Sequence, residues 1–236
     1  MITAPPVLRC EMLSFRYRRW GQPVDALRKL NLSVESGEWV MLVGANGSGK
    51  STLLRLAAGH LPVQEGRVEV AGRDVSRLSR AALAEHLYFV QQNPLLGTAP
   101  TLTVFENLAV ATPSGGSLWV GQRRKEEFER LLGPYDLRRK LMVPAEALSA
   151  GQRQVLAVLL ASLRPVSLVL LDEPTAALDT RNGKACLQAI DRLHKKGKTI
   201  VQVTHDREIV RRFGTRMVEL KEGRVALNGG ARSGRT

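Results

Sequence analysis

Cysteine is scarce in this chain. Cys10 and Cys186 are the only two among 236 residues, and no spacing pairs them. This argues against a disulfide framework and predicts reduced, structural thiols. Long apolar runs are missing as well. A run such as Val155 to Ala161 falls far short of the ~20 residues a membrane-spanning helix needs. The first residues, Met1-Ile2-Thr3-Ala4-Pro5-Pro6, lack the charged start and apolar stretch of a secretory signal, so a cytosolic chain is expected. There is no internal repeat and no low-complexity run.

What is present suits one large α/β domain, with room for an inserted subdomain. Hydrophobic residues make up 44% and charged residues 24%, ordinary values for a globular chain. The net charge of +13 is the unusual quantity. Such a charge fits nucleic acid, an anionic membrane surface or an arginine-rich proteome. The basic clusters Arg16-Tyr17-Arg18-Arg19-Trp20, Arg123-Arg124-Lys125, Arg138-Arg139-Lys140 and Arg211-Arg212 are scattered and carry no nucleic-acid motif, which favours a solvated surface.

Gly44-Ala45-Asn46-Gly47-Ser48-Gly49-Lys50-Ser51-Thr52 fits the phosphate-binding pattern G-x-x-x-x-G-K-[ST]. It follows the apolar run Trp39 to Val43, read as a buried strand, and precedes the helix formers Leu53 to Ala58. Strand, glycine-rich turn and helix is the context the motif requires. The glycines allow a tight bend that aims successive N–H groups at phosphate oxygens, and the helix N-terminus adds partial positive charge. Lys50 is expected at the β and γ phosphates and the Ser51 hydroxyl on Mg²⁺.

Along the chain, residues 7–17 carry β-favouring side chains and 18–23 read as a hairpin loop. Asn31 to Val34 and Arg67 to Val70 are further strands, so a small antiparallel sheet is expected beside the nucleotide core. Tyr17 would sit at its end, where a ring can stack on adenine for about 1–3 kcal/mol; read alone, it is equally a half-buried hairpin tyrosine. Leu87 to Val90 is a strand ending in Gln91-Gln92. Pro94, Pro100, Pro113, Gly115 and Gly116 then precede a charged helix over Gln122 to Leu132, which marks an inserted helical subdomain. Leu148-Ser149-Ala150-Gly151-Gln152 opens a buried helix from Arg153 to Leu163, with Ser149 as its N-cap. Leu168 to Asp172 reads as a central parallel strand, and Thr199 to Thr204 as another that ends at His205. Short strands at Arg216 to Leu220 and Arg224 to Leu227 flank the turn Glu222-Gly223, and residues 229–236 read as a flexible tail.

Ligands of parallel α/β sheets bind at the carboxyl ends of strands. Gly44, Gln92, Asp172, Glu173 and His205 each follow such an end. Asp172 is placed to hold Mg²⁺ through water beside Ser51, and Glu173 to orient and deprotonate the attacking water. Five apolar residues precede the acids, which argues against a merely solvated loop. His205 suits a γ-phosphate contact and Gln92 a contact to Mg²⁺ or water, although either alone is more often structural.

At this point the chain, from Tyr17 to Gly223, resembles the ATP-hydrolysing subunit of ABC transporters. Gly44 to Thr52 resembles its Walker A motif, Gln92 (less well Gln91) its Q-loop glutamine, and Leu148 to Gln152 its signature. Leu168 to Asp172 resembles Walker B with Glu173 as catalytic carboxylate. Ala177-Leu178-Asp179 resembles the D-loop, His205 the switch histidine, and Tyr17 the adenine-stacking aromatic. Ala150 departs from the glycine usual there. An alanine is tolerated if that backbone is helical or extended, and is costly if φ must be positive. The resemblance implies a P-loop NTPase core with an antiparallel β subdomain and an inserted helical subdomain. The expected division is a RecA-like first part over 1–92, the helical insert over 93–163, the second core part over 164–228, and the tail.

The resemblance further implies two such subunits head to tail, a homodimer being expected. Each ATP would lie between one P-loop and the partner's Ser149, Ala150, Gly151 and Gln152. It also implies transmembrane permease subunits, a solute-binding protein, no nucleic acid, and a peripheral position on the cytoplasmic face of the membrane. The permease's coupling helix is expected in a groove beside the Gln92 loop. A narrower likeness, to bacterial importers that include aromatic amino-acid systems, rests on Gln92-Asn93-Pro94-Leu95-Leu96-Gly97-Thr98-Ala99-Pro100, Thr103, Glu106-Asn107-Leu108, Leu118-Trp119 and Gly151-Gln152-Arg153-Gln154. Two other readings compete. A soluble ABC-type ATPase on nucleic acid or ribosomes usually carries two ATPase domains or a long coiled-coil insertion, absent here. A P-loop kinase explains neither Leu148 to Gln152 nor His205.

Overall fold

The structure is a computed structural model that describes residues 5–19, 21–112, 121–176 and 178–230. Trp20, Pro113, Gly115, Gly116, Leu118, Trp119 and Ala177, named above, lie outside the described residues, as do residues 1–4 and 231–236. In chain order the elements are β1 (Leu8–Arg19), β2 (Gln22–Val34), β3 (Trp39–Val43), α1 (Lys50–Ala57), β4 (Glu65–Val70), β5 (Arg73–Asp74), α2 (Arg80–Leu83) and β6 (Leu87–Val90). Then come α3 (Val104–Ala111), α4 (Gln122–Leu132), α5 (Ala150–Leu163), β7 (Leu168–Asp172), α6 (Thr180–Lys195), β8 (Thr199–Val203), α7 (Arg207–Phe213), β9 (Arg216–Lys221) and β10 (Arg224–Gly230). The chain divides into two units. One comprises 1–89, 166–173 and 196–236, the other 90–165 and 174–195.

The first unit holds two sheets. The larger runs in the order β10-β9-β3-β8-β7-β6, and its centre is parallel, with Val40 beside Val201 and Leu170 beside Val201. Strands β7 and β8 are buried along their whole length, which is why they read as unbroken apolar runs rather than alternating ones. The smaller sheet, β2-β1-β4-β5, is antiparallel. Leu8, Leu13, Leu27 and Leu30 from it join Leu42, Leu53, Leu56, Leu170 and Val203 in one buried cluster. Cys10 lies in that cluster, and burial pushes its thiol up to about 12, as expected of an inert structural cysteine.

Residues 18–23 do not form the loop expected of them. Pairing continues through Arg18 with Pro23 and Arg19 with Gln22, and Gly21 turns the chain at φ +76°. Pro23 is tolerated because β2 is an edge strand, where a missing N–H interrupts no ladder. Gly229 and Gly230, read above as part of the tail, belong to β10 and pair with Met217 and Arg216.

In the second unit Phe105 of α3 meets Phe128 of α4 edge-on at 5.3 Å, and α5 contributes Val155 to Ala161 to the interior. Thr103 and Glu106 form a capping box at the start of α3. Buried Asn107 fastens the preceding loop. Its amide donates to the carbonyls of Ala99, Leu102 and Thr103, and its oxygen accepts from Ala99 N at 2.8 Å.

The helical unit is larger than the expected 93–163, because α6 packs on α5 and belongs to it rather than to the second core part. Its buried Cys186, Ala189, Ile190 and Leu193 recur at helical spacing and form the face it buries.

Truncating the centre of β7 tests this core. Leu170→Ala removes a fully buried side chain and should cost about 2–5 kcal/mol of stability, read as a lowered urea midpoint. An unchanged midpoint contradicts the packing described.

Candidate active site

The loop between β3 and α1 bends through three glycines in the left-handed region, Gly44 at φ +141°, Gly47 at +78° and Gly49 at +105°. L-residues avoid this conformation, so the spacing read in the sequence has a direct backbone cause. Ser48 N donates to Ala45 O at 3.2 Å and closes the turn. Gly49 then caps α1 without a side chain, which leaves the helix N-terminus able to face an anion. Lys50 Nζ donates to the carbonyls of Gly44 and Ala45 at 2.8 and 2.9 Å, so its ammonium stands inside the curve of the loop. Ser48 Oγ is buried with no hydrogen-bond partner, an orphaned polar atom in a wall built to receive oxygens.

Two acids stand opposite. Ser51 Oγ donates to Asp172 Oδ1 at 2.9 Å. Burial raises Asp172's pKa above the usual carboxylate range. The Ser51 hydroxyl and Arg55 oppose that shift, Glu173 adds to it, and Lys50 opposes it. Burial likewise lowers the pKa of Lys50, against the pull of Glu173 and Asp172. A buried carboxylate beside a hydroxyl is a hard, all-oxygen donor pair, and the charge penalty on Asp172 is of the kind a divalent cation relieves. These residues fit Mg²⁺.

Glu173 has φ +49°, a left-handed conformation that costs a non-glycine residue about 1–2 kcal/mol. Such strain at the end of a central strand is common where a side chain must be aimed. The His205 ring nitrogen Nε2 lies 3.1 Å from Glu173 Oε1, in reach to donate its proton to that carboxylate. Asp206 next to it caps α7 by accepting from Glu208 N and Ile209 N, which fixes where β8 ends. Tyr17 is half-buried, edge-on to Phe15 at 4.9 Å, and its hydroxyl lies 3.3 Å from Thr52 Oγ1. A cavity of 870 Å³ opens at its ring, lined also by Phe15, Pro23, Leu27 and Leu61. A second, of 990 Å³, touches Gly44, Ala45 and His205, but its other walls include Val210, Met217 and Leu227, and neither Lys50 nor Ser51 lines it.

Tyr17, Gly44 to Thr52, Asp172, Glu173 and His205 all lie in the first unit. Gln92, Ser149 to Gln152 and Asp179 lie in the helical unit, and the structure gives their local settings. Gln92 is exposed in the bend after β6, and half-buried Gln91 accepts at its carbonyl from Gln154 Nε2 at 3.5 Å. Ser149 caps α5 in a reciprocal box: Gln152 N donates to Ser149 Oγ and Ser149 N to Gln152 Oε1, both at 3.2 Å. Ala150 is the first helical residue and has no positive φ, so the alanine carries no backbone penalty. Gly151 has a packing reason. A Cβ there would stand 2.6 Å from Asn182 Cβ, and Asn182 Nδ2 in turn donates to Asp179 Oδ2 at 2.6 Å.

Two features were not singled out as site residues from the sequence. Arg153 donates to the carbonyls of Ala145, Glu146 and Leu148 and so holds the loop before Ser149. Gly223 N donates to Ser48 O at 3.2 Å, across a separation in sequence that no local pattern could reveal.

A family profile described as "ABC transporter" matches residues 27–176. The chain belongs to the ABC transporter ATP-binding family. It is 33% identical over 215 residues to a tyrosine transport ATP-binding protein of Clostridioides difficile, covering 89% of this chain and 86% of that protein. It is 37% identical over 228 residues to the macrolide export ATP-binding/permease protein MacB 1 of Aeromonas hydrophila; there the match covers 94% of this chain and 34% of the relative, so the chain spans about a third of that protein's length. Among solved structures it resembles a dimeric ATP-binding cassette in a post-hydrolysis state with ADP and Pi, with a TM-score of 0.81 and 29% identity, covering 96% of this chain and 99% of that one. It also resembles cbiO1 of Clostridium perfringens, part of the cbiONQ transporter complex, with a TM-score of 0.77 and 25% identity, covering 97% and 90%. The fold is that of an ABC cassette, and the chain is an ATP-hydrolysing subunit of an ABC transporter. No helix among the described residues is long and apolar enough to cross a membrane.

The raised pKa of Asp172 sets a pH test. The fold favours its protonated form, so the ionisation penalty is absent below the ordinary carboxylate pKa and complete once pH has passed the raised value. Asp172→Asn keeps the oxygen that accepts from Ser51 and never ionises. Its melting temperature without nucleotide should exceed wild type by a margin that is smallest near the ordinary carboxylate pKa of about 4 and grows as pH rises above it. Its ATP hydrolysis should fall roughly 10- to 100-fold. A margin independent of pH contradicts the assignment.

Proposed function

We propose that this chain powers a bacterial importer of a small solute, an aromatic amino acid being the substrate class. It would work as one of two identical ATPase subunits docked under transmembrane permease subunits on the cytoplasmic face of the membrane. A solute-binding protein would deliver the substrate. The observation that carries the importer reading is the match over most of the length of the tyrosine-transport relative. The exporter relatives favour a second reading, macrolide-type efflux, at comparable identity over a smaller share of their length. The apolar side chains of Leu95 and Leu96, exposed just after Gln92, suit a helix presented by a permease.

In the proposed mechanism Tyr17 stacks on adenine, and the Gly44 to Thr52 loop with Lys50 holds the triphosphate. Ser51, Gln92 and Asp172 would hold Mg²⁺, which supplies charge neutralisation on the phosphate oxygens. Glu173 orients the attacking water and takes its proton, and His205 fixes the Glu173 carboxylate and contacts the γ-phosphate. Ser149, Ala150, Gly151 and Gln152 would complete the partner copy's site. The cap engages the Gln152 amide and leaves those of Ala150 and Gly151, with the Ser149 hydroxyl proton, available to a γ-phosphate. Asp179 would meet the partner across the same interface.

Glu173→Gln should bind ATP, lose hydrolysis by roughly 100- to 10,000-fold, and accumulate as a dimer in gel filtration with MgATP. Only monomer under those conditions contradicts self-pairing. In cells, Lys50→Ala should abolish uptake of labelled tyrosine while leaving macrolide resistance unchanged. The opposite pattern selects the efflux reading.

A further inference from the structure

The β9–β10 turn lies against the phosphate-binding loop at Ser48. Glu222 at φ +50° and Gly223 at φ +76° form a two-residue hairpin turn with both residues left-handed, the geometry that matches the twist of paired strands. A free hairpin would need Gly223 only for its φ. This one also needs it for space. A Cβ there would stand 2.8 Å from Ala26 O and 2.9 Å from Leu27 Cα. Ala26 O also closes over the loop's own Gly49, where a Cβ would approach to 2.5 Å. Two hydrogen bonds finish the junction. Gly223 N donates to Ser48 O at 3.2 Å, and Arg28 N donates to Gly223 O at 2.9 Å. One strand end further on, Leu220 O fills the space that a Cβ on Gly44 would occupy.

The loop is therefore gripped at both ends. Gly44 sits against β9, Ser48 and Gly49 sit against the turn and β2, and the peptide of Gly223 links the two strands to the loop. β2 pairs with β1, which carries Tyr17, and Tyr17 reaches back to Thr52 at the start of α1. The phosphate loop thus meets Gly223 and Ala26 directly at Ser48 and Gly49, whereas the base-stacking ring is reached only through the pairing of β2 with β1. Interiors are close-packed, so a support of this kind transmits a shift of a few tenths of an ångström instead of absorbing it.

The geometry points to Gly223 as a positioning residue for nucleotide binding: its peptide, wedged between Ala26 and Ser48, sets the curvature of the triphosphate cradle. This rests on the reading above that Gly44 to Thr52 holds ATP. Gly223 bears on the loop through Ser48 and, by way of Ala26, through Gly49. The effect should therefore fall on the β and γ phosphates and spare a nucleotide that lacks them.

The test compares Gly223→Ala with Gly37→Ala. Gly37 has nearly the same left-handed φ, +80°, but no atom within 4 Å of an added Cβ, so it carries the conformational strain without the clash. Affinities are read by competition of ATP and of AMP against a fluorescent ATP analogue. Gly223→Ala should weaken ATP tenfold or more and AMP less than twofold, while Gly37→Ala leaves both within twofold. Equal loss for ATP and AMP, or no loss, overturns the proposal. If wild type itself does not bind ATP, the nucleotide reading fails instead, so the two failures are distinguishable. Should Gly223→Ala not fold, hydrogen exchange on the wild type decides. AMP-PNP should slow exchange at the Gly223 and Arg28 amides together with the loop. Protection of the loop with those two amides unchanged overturns it.

Discussion

The backbone of the loop from Gly44 to Thr52 must curve through left-handed residues, and much of the molecule is arranged to hold that curve. Strand β3 delivers the loop from the centre of a buried parallel sheet, and α1 carries it away with an N-terminus capped by no side chain. Lys50 folds its ammonium into the concave side, where burial weakens its hold on the proton and the two acids offset only part of that loss. Free energy is spent here on charge in a place of low solvation, and the return is a site whose electrostatics are set before a triphosphate arrives. Asp172 and Glu173 show the same pattern, one by a penalised charge and the other by a strained φ.

Around this centre the supporting contacts differ in kind. Apolar burial of β7 and β8 fixes the strand ends that carry Asp172 and His205. Local hydrogen bonds place individual groups: the capping box of Ser149 and Gln152, the three carbonyls held by Arg153, and the link from Asp179 to Asn182. Glycine supplies the remaining contacts by what it lacks. At Gly44, Gly49 and Gly151 a Cβ would meet backbone or side-chain atoms at less than normal contact distance. Solvent-facing ion pairs, such as Arg138 with Glu129 and Arg181 with Asp136, add little to stability.

Much of this was legible in the sequence because the signals are local. A glycine spacing, an apolar pentamer ending in two acids, and a serine three residues before a glutamine each encode one turn or one strand end. The conditional reading of Ala150 resolves simply, since the residue is helical. What escaped was non-local or weakly patterned. The hairpin over 18–23 is tighter than its composition implied, because edge-strand pairing absorbs Pro23. Helix α6 was not assigned to the helical unit, although Cys186, Ala189, Ile190 and Leu193 mark an apolar face. The junction of Gly223 with Ser48 and Arg28 joins three distant segments, and no single window contains it.

The central claim is that each ATP is completed by a second copy, through Ser149 and its neighbours. Mixing two inactive variants tests it most directly. Lys50→Ala disables the phosphate loop, and Ser149→Glu sets a negative charge where the partner's γ-phosphate would lie. Each alone should be inactive. In an equal mixture, reciprocal pairing gives mixed dimers with one intact composite site, so ATP hydrolysis should return to roughly a quarter of wild type. A mixture that stays as inactive as its components contradicts the account.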